Sequence, residues 1–372
     1  MAAGGIWLIA PTRFAALSRR NARIVLALAV LLLLACLTAV TAPGPAVAPD
    51  PASASAKPDR VLDRVLYENI VTDIGYGDHY YAAAARELRA GDFPLKPFFT
   101  FRLPTLAVIE AALPRPVTIG LLYLLAAITT GAWYIRLGGV FTRWPPRGIA
   151  TVLMATGLAS FIRPDLIVFH EIWAGPLIAL SLAVRRPGNA TAAIAIGLCA
   201  MLIRETAALY CGLMALAALA EGRRREFVGW SAAILVFLAA VACHAWAVSL
   251  VVRPFDTPSP GWMGMLGPGF FVKIVSLASV LAIAPAWLAA LVIGMALIGW
   301  IAWRDPLGTR TVAMIASYAL LISVFCRADT FYWAVLPAVP VMIGLLFAPD
   351  AVRDLWSRAR DTRRITVTRV VR

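Results

Sequence analysis

Apolar residues fall along this chain in long, nearly uniform blocks divided by short polar connections, a pattern of helices rather than alternating strands. A helix needs about 20 apolar residues to cross a bilayer. Ten blocks read as spans, near 24–42, 117–135, 148–162, 166–184, 190–204, 206–220, 228–251, 285–303, 311–326 and 331–348. Those at 148–162 and 190–204 are short. A further block, residues 269–284, reads as a helix lying in or dipping from one interface and ended near Pro285. As an eleventh span it would place the Arg-rich C-terminus on the wrong side.

Composition agrees. Of 372 residues, 61% are hydrophobic and 15% charged, which defines an all-α polytopic membrane protein. Cytoplasmic loops are enriched in Lys and Arg. Alternation from a cytoplasmic N-terminus (1–23) gives the inner segments 21 of the 34 basic residues, seven of them in a cytoplasmic basic tail at 349–372. The short outer connections hold Arg163, Arg204, Arg253, Lys273 and Arg327. The other eight lie in a long extracytoplasmic segment, 43–116, and long loops obey the rule weakly. The net charge of +14 is scattered between apolar blocks, which argues against a nucleic-acid module. Residues 24–40 have the look of a signal peptide but read as an uncleaved first helix, since the rest of the chain is also apolar. Cys36, Cys199, Cys211, Cys243 and Cys326 lie in apolar stretches without pairing or zinc spacing. The chain reads as a single membrane domain over 1–372, with no internal repeat.

The segment 43–116 holds most of the chemistry. Residues 43–60 are a Pro/Ala/Ser-rich linker. Residues 61–72 have helical spacing and predict a short surface helix. A second helix is expected over 79–90, with Asp78 as its N-cap and Gly91 as its stop. Tyr81, Ala84, Ala85 and Leu88 form its apolar face, suited to a membrane surface. Elsewhere, His170 and Glu171, Arg204 and Glu205, Arg163 and Arg327 all fall toward the outer ends of spans; an ionisable group within a span is expensive unless paired or used. Taken singly, each Arg reads as an ion-paired or snorkelling residue; the set, with an acid in the adjoining loop, suits a lipid-linked phosphate. His244, alone in its span, reads as a packing residue, and 253–269 with Trp262 as an outer loop.

Asp78-His79-Tyr80-Tyr81, Ala85, Leu88, Gly91, Pro94, Pro97 and Arg102-Leu103-Pro104 follow the first span in order. A closing Arg327, Tyr332, Pro337 and Pro340 completes the pattern. This resembles the GT-C superfamily of membrane glycosyltransferases, including mannosyl- and aminoarabinose transferases, which take sugars from polyprenyl phosphates. The match covers about 30 residues well, and the remainder mainly in topology. It implies about ten spans with amphipathic helices in the first outer loop, and inverting transfer of a sugar to a lipid or glycan acceptor. The site would face the exterior of a bacterial inner membrane. Asp78 would be the catalytic base; Arg204, Arg327 and Arg163 would hold the donor phosphate. His79, Tyr81, Arg102, Glu171, Glu205 and Tyr332 would orient groups or contact substrate. Many relatives carry a second acid where this chain has His79, so no metal is assigned, and a divalent ion between Asp78 and Glu171 stays open. A transporter of lipid-linked saccharides and a non-catalytic envelope subunit that keeps the fold are the rival classes; a transporter gives no reason for the acid-bearing helix after the first span.

Overall fold

The computed structural model describes residues 5–45 and 63–361. The linker expected at 43–60 and the end of the basic tail lie largely outside them. Among the described residues the chain is helical throughout, with no strand. It is a helical membrane protein: five helices among the described residues are long and apolar enough to cross a bilayer.

α1 (Arg19–Leu37) starts at Ser18, whose side chain accepts from Asn21 N, and continues in a 3₁₀ turn to Val40. A three-helix cap follows: α2 (Asp63–Gly75), α3 (Tyr80–Ala90) and α4 (Thr105–Ala112). The chain then runs back and forth through α5 (Arg115–Arg136), α6 (Pro145–Phe161), α7 (His170–Val184), α8 (Thr191–Ile203), α9 (Ala208–Ala220) and α10 (Arg224–Ser249). After a loop come the short α11 (Gly267–Leu277), then α12 (Ala286–Ala302) and α13 (Pro306–Phe325), the last capped by Asp305. The final crossing is broken: 3₁₀ turns flank α14 (Val335–Val341), which carries Pro337 and Pro340. α15 (Ala348–Arg360) ends the described chain.

All ten expected blocks are helices, and side-chain contacts fix their alternation. Arg115, at the start of α5, reaches the Pro164 carbonyl just past α6, while Arg136 at its other end meets Asp305 before α13. One end of the bundle therefore carries the cap; the other gathers the start of α1, α15 and most of the Arg-rich turns. Two expectations change. The helix within 269–284 is packed inside the bundle rather than laid on its surface, with Phe270, Phe271, Ile274 and Val275 buried, because its apolar residues cover more than one face. The first part of the basic tail is an amphipathic helix whose apolar stripe binds α1, and Asp350 and Asp354 on it are buried. Asp350 accepts from the backbone N–H of Ile6, Trp7 and Leu8, and Asp354 from Thr12, so the N-terminal strap is tied to the C-terminal helix.

α12 crosses the last segment at glycine. A Cβ on Gly299 would run into the Gly344 carbonyl, and one on Gly344 into the Ala296 carbonyl. Small residues at such crossings let backbones approach closely. Gly299→Ala is expected to cost about 1–3 kcal/mol, the usual range for overpacking, read as a lower denaturation midpoint in mixed micelles.

Candidate functional site

The cap is fastened to the bundle by named bonds. Arg89 makes a two-pronged pair with Asp256, at 2.8 and 2.7 Å, and donates to the Val251 carbonyl. The Arg89 guanidinium holds the Asp256 carboxyl well below the usual carboxylate range. Leu95 N donates to Thr257 O and Ser259 N to Lys96 O, zipping two loops together. Tyr81 OH lies 3.1 Å from His244 Nδ1. Leu66, Ile70, Tyr80, Ala84, Leu88 and Val248 form the apolar cluster beneath. His244 is thus the packing residue expected, with a cap tyrosine as its partner.

A cluster of buried charge lies where the cap meets α7 and α8. The Arg204 and Glu171 side chains are each 2% exposed, and Arg204 Nε lies 2.5 Å from Glu171 Oε1. Arg204 also donates through Nη1 to Glu205 Oε2 at 3.1 Å, and Glu205 Oε1 accepts from Leu103 N at 2.9 Å. Its guanidinium carbon sits 5.6 Å from the centre of the Trp333 ring. Arg102 Nε reaches Tyr67 OH at 3.2 Å, and the Arg102 carbonyl accepts from Tyr80 OH. Tyr332 OH donates to Asp63 Oδ2 at 3.1 Å. Burial raises the Asp63 carboxyl above its ordinary range, against the opposing pull of Tyr332 and Arg102. The Glu171–Arg204 pair is close in distance but not aligned as a hydrogen bond. Arg204 Nη2 and both ring nitrogens of His170 have no hydrogen-bond partner among the described residues. Buried polar groups are nearly always satisfied, so each of these invites a ligand or water.

Next to this cluster, Tyr67, Tyr80, Arg102, Glu110 and His170 line a small cavity of ≈ 10 Å³, about the room one water needs. Burial pushes the Glu110 carboxyl up to about 8, with Arg115 opposing. Above the unfolded value of 4.5, the folded chain keeps a proton that the unfolded chain releases. This contribution is intact below pH 4.5 and falls by about 1.4 kcal/mol per pH unit until the folded pKa is reached. Glu110→Gln is expected to remove that slope, so the variant gains on wild type between pH 5 and 8 in thermal denaturation. Parallel pH curves for the two proteins would contradict it.

The expected site residues divide. Arg102, Glu171, Arg204, Glu205 and Tyr332 come together at the cap–bundle junction. Asp78 does not join them. α3 begins at Tyr80, its N-cap is His79, and the His79 side chain makes no capping bond. The turn at Gly77 (φ +104°), closed by Asp78 N to Asp73 O, sets Asp78 one residue ahead of the cap position. Its carboxylate turns instead to Arg86 at 2.7 Å, which also holds Asp73 at 2.6 Å. Arg163 is exposed and forks onto Asp165. Arg327 pairs with Asp329 at 2.8 Å and, with Trp262 and Met263, lines an open groove of ≈ 470 Å³.

Asp63, Tyr67 and Glu110 were not anticipated. Asp63, Leu66, Tyr67 and Ile70 recur at helical spacing, so the inward face of α2 was readable; that it carries an acid into the cluster was not. Among the described residues no group of three or more His, Cys, Asp or Glu side chains is placed to hold a metal ion. No protein-family model, curated protein or solved structure matches this chain.

Proposed function

We propose that this protein is a GT-C-like glycosyltransferase with about ten spans. It would transfer a sugar from a polyprenyl-phosphate donor to a lipid or glycan acceptor at the cap face, the periplasmic side of a bacterial inner membrane. The observation that carries this reading is the charge at the cap–bundle junction. Arg102 and Arg204 lie there beside Glu171, Glu205 and Asp63, with Arg204 Nη2 and both His170 ring nitrogens lacking a hydrogen bond among the described residues. Ionisable groups at such depth are costly and are kept for a task. A departing phosphate develops negative charge that a fixed guanidinium stabilises best in a partly desolvated site. Arg327, at the open groove beside Trp262, is positioned for a donor entering from outside.

The proposed base is a cap carboxylate. The resemblance assigns Asp78, and Arg86 donates to its Oδ2 at the solvent edge. Geometry favours Asp63 as the rival, because it is half-buried at the cluster and already bonded to Tyr332 OH. Direct displacement with a single base inverts the anomeric configuration. A transporter would be indifferent to both carboxylates. The test is sugar transfer in vesicles reconstituted with the protein, a panel of polyprenyl-phosphate sugars and envelope acceptors. Product of inverted configuration supports the reading, and no transfer from any donor sinks it.

A further inference from the structure

The face of the bundle opposite the cap carries a second feature, independent of the transferase reading. α15 has two stripes. Ala351, Leu355 and Ala359 are buried with Phe14, Ala22 and Ile298. On the adjoining flank, Val352, Trp356 and Arg360, spaced one turn apart, stay exposed. The Arg360 guanidinium lies 4.1 Å from the centre of the Trp356 ring. Stacking of this kind leaves the in-plane N–H donors of arginine free for an anion. Arg358 is also exposed, its nearest carboxylate being Asp361 at 3.6 Å.

α1 starts beside this helix, joined to it by Arg23 Nε donating to the Ala359 carbonyl at 3.2 Å. Arg19 and Arg20 in its first turn are exposed and have no carboxylate partner among the described residues. Directly along α1 from these arginines, Ile24, Leu28 and Leu31 are exposed, at 49%, 56% and 59%. The result is a collar of cations and an exposed tryptophan set at the foot of an apolar strip. A free anion or a nucleic acid would use the cations and leave the strip uncovered. An amphiphile uses both.

We propose that the junction of α1 and α15 is a binding site for an anionic phospholipid. The phosphate would rest on Arg19, Arg20, Arg358 and Arg360, Trp356 would lie at headgroup depth, and an acyl chain would follow Ile24 and Leu28. Charge complementarity selects the headgroup and tryptophan's preference for the interface fixes the depth. The site ties the first transmembrane helix to the C-terminal helix, so lipid bound there stabilises the fold by linkage.

The test uses the full chain in micelles, titrated with phosphatidylglycerol or phosphatidylcholine bearing brominated acyl chains, and reads quenching of tryptophan fluorescence. Phosphatidylglycerol is expected to bind saturably and at least tenfold more tightly than phosphatidylcholine. Arg358→Gln/Arg360→Gln should weaken it by about 25-fold, roughly fivefold for each arginine removed. Trp356→Phe should lose the saturable quenching. Arg19→Gln/Arg20→Gln carries the same prediction as the α15 pair if that variant folds poorly. Equal binding of the two lipids overturns the proposal, as does wild-type affinity in both double variants. So does displacement of the lipid by soluble glycerol phosphate at equal concentration, which would mark a site for a free anion.

Discussion

Asparagine at position 78 is expected to lower sugar transfer by about 10²–10⁴-fold, the usual contribution of a positioned general base. The exchange suits the question because it changes so little else. Asp78 is exposed and its partner is Arg86, to which an Asn oxygen still bonds. The stability change is therefore expected within about 0.5 kcal/mol, as for surface sites generally. Donor binding should persist, since the phosphate is assigned to Arg102, Arg204 and Arg327. Asp63→Asn belongs in the same experiment. It removes the acid at the centre of the buried cluster while retaining an acceptor for Tyr332 OH. Collapse of turnover in Asp78→Asn alone supports the resemblance. Collapse in Asp63→Asn alone moves the base into the cluster. Full activity in both would leave the glycosyltransferase reading without a base from the cap.

Glu226→Gln is expected to be the most destabilising single change among the charged residues, by about 3–5 kcal/mol. Glu226 lies between two buried cations at the end of the bundle away from the cap. Its oxygens accept from Arg185 at 2.7 and 2.9 Å and from Arg310 at 3.0 Å. The Arg185 and Arg310 side chains are only 1% and 2% exposed. With glutamine the carboxylate left to both among the described residues would be Glu221, at 3.3 and 3.0 Å and already paired with Arg223, and the desolvation cost of the second cation would stand uncompensated. The same bonds hold the end of α7 to the starts of α10 and α13, so the loss reaches three helices. Equilibrium denaturation in mixed micelles measures it. Replacing Arg185, Glu226 and Arg310 together with apolar residues of similar size should cost less than the single change, because no charge is then left buried alone. A single Gln variant within about 1 kcal/mol of wild type would mean that water reaches the cluster.

Most of the helices and their order could be read from short stretches of sequence. Block length reports whether a helix can span, and Arg in the turns reports which end a turn occupies; both are properties of short stretches. Gly91 closing α3 and the helical spacing of Leu66 and Ile70 were readable for the same local reason. Tertiary structure alone decided which polar groups meet. Tyr332 finds Asp63 across 269 residues, and Arg310 finds Glu226 across 84. Such pairings depend on how each helix is rotated about its axis and how deeply it is packed, which local spacing does not fix. Asp78 shows the limit: its sequence position suits an N-cap, but the turn at Gly77 brings it to Arg86. In a medium that screens charge weakly, an ionisable side chain is placed by whichever opposite charge the fold brings within a few ångströms.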